Sequence, residues 1–318
     1  MHGGAIRAPT TSLVPTLPDM PDLDFTGLPV PASLLGESPL WHPQEQVLYW
    51  CDIPGRQLNR YDPATGAHRL WPMPSDPACC APVLGGGLLL AMRDGLWRFD
   101  PAHGERQLVA RPPYDPSQER FNDGKADAQG RFWIGTIHDK REPKAALYCL
   151  DRSQLTRVAG DITNSNGLAF SPDGATMYWA DTKAHVVFAF DVDGSDGSLS
   201  RQRVFQQFAQ RQEGEPLDSY GGRPDGAAVD VEGHYWVAMY EGQRLVRLSP
   251  SGERLADLPL PVRCPTMPCF GGHDLRTLYI TTARDKRPDD ELMAQPLAGC
   301  VLQIRVDVPG LPAHLVHL

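Results

Sequence analysis

Three stretches of this 318-residue chain repeat one pattern of oxygen-bearing side chains: "NDGKADAQG" from Asn122, "NGLAFSPDG" from Asn166 and "DGAAVDVEG" from Asp225. In each, the leading amide or carboxylate stands eight residues before a glycine (Gly130, Gly174, Gly233), and an aromatic β-rich run follows: "RFWIGT", "ATMYWADT", "HYWVAMY". A fourth copy lacks that glycine but aligns through "WHPQEQVLYW" against "FSPDGATMYW", which sets Glu37 of "GESPLW" opposite Asn166. Asn and Asp are common turn and capping residues, so any one of the four alone reads as a local backbone cap. Four in one register read differently. Equivalent residues of a repeat lie at equivalent depth, so Glu37, Asn122, Asn166 and Asp225 should converge. Two carboxylates and two amide oxygens brought together out of water need a cation to neutralise them. Carboxylate, amide oxygen and water are the ligands of a hard divalent ion, so the pattern implies a metal site.

The elements that must position these residues are short strands. Glycine (30) and proline (31) punctuate the whole chain, and no segment keeps a 3.6-residue apolar period. What recurs is an aromatic-rich strand, a polar turn and a second strand: "VLYWCDIPGRQLNRYDPATG", "LLLAMRDGLWRFDPAHG", "RFWIGTIHDKREPKAALYCLD", "MYWADTKAHVVFAFDVDGSDG", "HYWVAMYEGQRLVRLSPSG" and "TLYITTARDKRPDDELMAQPLAGCVLQIRVD". Units at a spacing of roughly 40 to 60 residues, each too small to bury both faces alone, predict an all-β, six-bladed β-propeller with four-stranded antiparallel blades around a central channel. The same register puts Ala78 and Thr266 or Met267 at the matching places of the other two units, so the polar groups gather on one side of the channel. We expect residues 1–30 to be a flexible arm and 31–318 a single propeller, with "LPVPASLLG", just before Glu37, free to supply the strand that closes the ring.

Composition narrows the partners. The net charge is −9, the pI is near 5.5 and there is no basic stripe, which excludes nucleic acid and anionic membrane surfaces as expected partners. No apolar run is long enough to span a bilayer. The first thirty residues are too acidic and proline-rich for a secretory signal, so a cytoplasmic protein is expected. Seven cysteines without a CxxC pair read as reduced, buried thiols rather than a disulfide framework or zinc site. His185, His234 and His273 lack metal-ligand spacing and read as structural.

As a set and in this order, "GESPLW", "RFNDGKADAQGRFWIGT", "NGLAFSPDG", "PDGAAVDVEG", "CFGG" and "TTARD" resemble the regucalcin/gluconolactonase family of six-bladed, metal-dependent lactonases. The resemblance implies metal ligation by Glu37, Asn166 and Asp225, the three that the register also brings together. It implies substrate contacts from Arg120 and Asn122 of "RFNDG", which moves Asn122 out of the direct ligands, and makes Asp225 the general base, a role Glu37 could share. Family members carry a substrate-binding Glu in the loop after "GT"; here "GTIHDKREPK" puts Lys140 there, beside His138 and Asp139. The implied cofactor is one divalent ion, Ca²⁺ or Zn²⁺, with Mg²⁺, Mn²⁺ or Fe²⁺ also compatible. The implied reaction is hydrolysis of a small-molecule sugar lactone to its aldonic acid. A broader lactonase or phosphotriesterase, or a non-catalytic metal-binding propeller, are the alternatives, and oligomeric state is left open.

Overall fold

A computed structural model describes residues 24–318. Six four-stranded antiparallel sheets follow one another along the chain and form the blades of a propeller, spanning 36–72, 77–110, 119–162, 165–207, 223–259 and 265–305. Each blade starts with its innermost strand: Gly36–His42, Pro77–Pro82, Glu119–Ala126, Ser165–Phe170, Arg223–Val229 and Pro265–Gly271. These six strands pack against one another around the axis.

A single blade would expose apolar residues on both faces, and the packing shows how that is avoided. Each of six core clusters joins two successive blades; one sets Leu40, Tyr49 and Leu58 of the first against Cys80, Leu90 and Phe99 of the second, and another sets Leu28, Trp41 and Trp50 against Tyr279 and Val301. That last cluster seals the ring. The closing strand is Thr26–Gly27, paired with Leu302–Arg305 through Thr26↔Gln303 and Gly27↔Leu302. It lies upstream of the expected "LPVPASLLG", inside the stretch assigned to the arm, because buried Leu28 anchors the chain there. Residues 1–23 of that arm lie outside the described residues.

Two local devices set the side chains that face the channel. First, every innermost strand carries a β-bulge against its neighbour at the same level: after Glu37, Pro77, Phe121, Asn166, Pro224 and Pro265. A bulge interrupts the ladder and re-aims side chains. Gly167 and Gly226, directly after Asn166 and Asp225, serve these bulges, whereas Gly130, Gly174 and Gly233 close turns. Gly167 has φ +61°, and a Cβ there would stand 2.4 Å from the Tyr235 hydroxyl; at Gly226 it would stand 2.4 Å from Met267 Cβ on the next blade. Second, an aspartate ending the second strand ties down the residues ahead of the first. Asp52 accepts from the Leu34 and Leu35 amides, and Asp181 from those of Thr163 and Asn164.

At the far ends of the innermost strands the C-terminal segment crosses the channel, bridging Asp230↔Gly310 and Val83↔Val316. The seven cysteines are free thiols, and among the described residues no helix is long and apolar enough to cross a membrane.

Candidate metal and substrate site

The channel end opposite the C-terminal segment opens into a cavity of about 370 Å³, within the ~300–1,000 Å³ usual for small-molecule sites. Glu37, Arg120, Asn122, Asn166 and Asp225 all line it, together with Leu35, Ile137, Arg141, Asn164, Thr182, Lys183, His185, Arg223 and Tyr240. A smaller cavity of about 110 Å³ lies at the other end against Leu311–His314, with an apolar wall of Trp41, Phe170 and Met267. It holds none of the converging carboxylates.

The polar groups of the larger cavity form a continuous chain from blade to blade. The Arg120 guanidinium donates to Asn122 Oδ1 at 2.7 Å and to the Phe121 carbonyl at 2.9 Å. Asn122 Nδ2 donates to Asn166 Oδ1 at 2.7 Å, and Asn166 Nδ2 donates to Asp225 Oδ1 at 2.6 Å and to Thr182 Oγ1 at 2.7 Å. Burial pushes the Asp225 carboxyl up to about 7, with the Asp123 charge adding to the effect. The Glu37 carboxyl is raised well above its ordinary range, first by burial and then by Asp225 and Asp123. Burial also lowers Arg120 to about 10, helped by the nearby Arg141.

This donor set fits a hard divalent cation. Two carboxylates face one cavity and repel one another, an amide oxygen stands beside them, and no side chain among the described residues hydrogen-bonds to the Glu37 carboxylate. Such a carboxylate is costly to hold ionised unless a cation shares it. No cluster of three His, Cys, Asp or Glu with metal-binding geometry exists among the described residues, so the amide of Asn166 has to complete the set.

Comparison with known proteins places the chain. The family model described as "SMP-30/Gluconolactonase/LRE-like region" matches residues 35–284. The chain belongs to this family. A 6-deoxy-6-sulfogluconolactonase of Pseudomonas putida is 44% identical over 281 residues, covering 87% of this chain and 93% of the relative. Rabbit (Oryctolagus cuniculus) regucalcin is 33% identical over 288 residues, covering 88% and 93%. Among solved structures, a calcium-binding regucalcin of Agrobacterium tumefaciens superposes with a TM-score of 0.87 at 29% identity, covering 93% of this chain and 98% of the other.

Within this SMP-30/gluconolactonase member, Lys140 departs from expectation. It is exposed and does not line the cavity; the next residue, Arg141, does. The reason is local: Arg141 sits at φ +57° in a turn closed by its amide on the His138 carbonyl, which turns its side chain inward to Asn164 Oδ1 at 3.2 Å. Asp139 points away and pairs with Arg93 at 3.1 Å. His185, expected to be structural, also reaches the cavity wall, with Nε2 against the Tyr220 hydroxyl. His234 bonds to Asp230 at 3.2 Å and His273 is exposed; neither lines the cavity.

Residues missed from sequence include Asn164 and Arg223, and a signal for both was present. Each stands two positions before a converging residue (Asn164 before Asn166, Arg223 before Asp225), as Leu35 does before Glu37 and Arg120 before Asn122. Side chains two apart on a strand share a face, so the register that found one ring implied a second ring above it. Lys183, Thr182 and Tyr240 come from the ends of second strands and carry no repeated motif.

Proposed function

We propose that this protein hydrolyses a sugar lactone to its aldonic acid, with Glu37, Asn166 and Asp225 holding one divalent cation. The observation that carries the proposal is the joining of both carboxylates, the Asn166 amide and a half-buried arginine in one cavity. When bound, the cation supplies a Lewis acid for the lactone carbonyl and its developing oxyanion. Oxygen-only ligation suits Ca²⁺, Mg²⁺ or Mn²⁺, and such sites also accept Zn²⁺ or Fe²⁺.

The chain's own groups take these parts. Asp225 faces the cavity with one carboxylate oxygen not engaged by Asn166 and takes a proton from the attacking water. The water oxygen bonds to the carbonyl carbon, the ring C–O bond breaks, and the departing ring oxygen takes the proton back from Asp225 to become the hydroxyl of the acid. Asn166 holds Asp225 by one oxygen, leaving the other for that proton. Arg120 uses one terminal nitrogen on Asn122 and Phe121, which leaves the rest of its fork for the ring or carbonyl oxygen of the substrate. Asn122 keeps Arg120 and Asn166 in line from within the wall of the cavity. Seven free thiols suit a reducing compartment and support a cytoplasmic location.

The test is acid release from a panel of aldonolactones and alkyl lactones, before and after chelation, with metal analysis of the purified protein. Turnover of hydroxylated lactones that is lost to chelator and restored by one cation is the expected result. Turnover indifferent to chelator, or none on any lactone, overturns the proposal; a preference for alkyl lactones moves it to the broader lactonase reading.

A further inference from the structure

The cavity holds more positive charge than a neutral sugar lactone can use. Four cations line it: Arg120 and Arg141 from the third blade, Lys183 from the fourth and Arg223 from the fifth. Only two carboxylates, Glu37 and Asp225, line it with them, and both are taken by the metal reading. Among the described residues Arg120, Arg141 and Lys183 have no carboxylate within 4.0 Å, while Arg223 is paired with Glu241 at 2.9 Å and lies over the Tyr240 ring. The acids nearest Arg141 in sequence are engaged elsewhere, Asp139 with Arg93 and Glu142 with Lys144.

The Arg141 and Lys183 side chains are exposed at the rim of the cavity, and what sets them apart from freely solvated surface cations is that each is fixed in place. Arg141 is fastened to Asn164 at 3.2 Å, and the Lys183 ammonium is fastened to the Arg141 carbonyl at 3.1 Å. Partial desolvation and then the Arg223 charge hold Arg141 below its ordinary pKa, so like charges are kept close together. Apart from Leu35 and Glu37 the wall comes from the third to fifth blades and the link at Asn164, so on that side four cations face a single carboxylate, Asp225. The charge is one-sided. Guanidinium and ammonium groups so placed are the usual partners of a tetrahedral oxyanion.

We infer that the cavity selects a sugar lactone bearing a sulfonate or phosphate on its exocyclic carbon, gripped by Arg141 and Lys183 with Arg223 behind them, while the lactone carbonyl faces Glu37, Asn166 and Asp225. The inference rests on the lactonase reading for the reaction but not for the anion grip. The experiment compares gluconolactone, its 6-phosphate and its 6-deoxy-6-sulfonate as substrates of the wild type, Arg141→Gln and Arg141→Gln/Lys183→Gln. In parallel, glucose, glucose 6-phosphate and 6-deoxy-6-sulfoglucose, which cannot be hydrolysed, are titrated calorimetrically, and thermal melts establish that each variant is folded.

One anionic lactone should exceed the neutral one in kcat/KM by about tenfold or more, mostly through KM, and the substitutions should cut that ratio by about tenfold for each cationic side chain neutralised. The favoured arm identifies sulfonate or phosphate. Equal kcat/KM for neutral and anionic lactones, or a preference that both variants retain, overturns the inference and leaves the lactonase reading standing. If no lactone is turned over, that reading fails, and calorimetry decides the grip alone: anionic sugar bound over glucose and released by Arg141→Gln supports it, and indifference overturns it.

Discussion

Asn166 is the residue on which the site turns, because its amide reaches both neighbours at once. It accepts from Asn122 and donates to Asp225 and Thr182, so the third, fourth and fifth blades are tied at a single side chain. Asp225 beside it keeps one carboxylate oxygen free to take a proton. Asp225→Asn should lower kcat by roughly 10²–10⁴-fold, the usual contribution of a general base, with a melting temperature near wild type; a variant that keeps its kcat would remove Asp225 from the chemistry. Asp123, in the same "NDG", behaves differently. It lies under the cavity, its Oδ2 accepts from the Leu168 amide at 2.8 Å, and its Oδ1 has no partner. Burial raises it from an ordinary 3.8 to about 6. A carboxyl whose folded pKa is raised binds its proton more tightly in the native state. Its stabilising contribution is therefore present below about pH 4 and lost as the pH rises towards about 6, a change on the order of 3 kcal/mol. Asp123→Asn keeps an acceptor for Leu168 and cannot titrate, so melts recorded from pH 4 to 7 should fall more steeply for the wild type than for the variant. Parallel curves would refute the assignment.

At the scale of the element, the bulge explains why Asn166 and Asp225 are each followed by glycine. The innermost strands approach so closely there that Gly226 has no room for a methyl: it would meet Met267 Cβ at 2.4 Å and the Thr266 carbonyl at 2.9 Å. Gly226→Ala should therefore destabilise the protein by about 1–3 kcal/mol, the common cost of overpacking, and displace Asp225 enough to weaken activity. Adding Met267→Ala should recover only part of the stability, since the backbone carbonyl remains; full recovery, or no loss in the single variant, would show that the bulge tolerates a side chain. This device also marks what was legible in the sequence. The bulge recurs in all six blades with a repeated motif, so its register exposed Glu37, Asn122, Asn166 and Asp225 together, with Ala78 and Thr266 as the apolar or weakly polar counterparts. The rim was not legible in that way. Whether Lys140 or Arg141 enters the cavity depends on one left-handed residue in a loop without a counterpart in the other blades, and His185 reaches the wall through its tertiary contact with Tyr220.

At the scale of the molecule, the ring has one seam, and the site lies across it. The sixth and first blades are joined by their shared core, by Thr26–Gly27 on the edge of Leu302–Arg305, and by hydrogen bonds such as Thr266 Oγ1 to the Gly36 carbonyl and the Arg284 amide to the Leu34 carbonyl. Glu37 belongs to the first blade and Asp225 to the fifth, so the spacing of the two carboxylates depends on the ring staying shut. Removing residues 1–29 takes away the closing strand and Leu28, which is 3% exposed. Loss of that leucine's packing alone should cost about 2–5 kcal/mol, as large-to-small core changes do. The bared edge of Leu302–Arg305 would then be open to pairing with another chain. A lower melting temperature, self-association on size-exclusion chromatography and weaker divalent-cation binding should therefore appear together, and Leu28→Ala should reproduce the first with less of the second. If the truncated protein melts as the intact one does and binds its cation as tightly, the remaining contacts hold the seam and the strand at Thr26–Gly27 contributes nothing to the site.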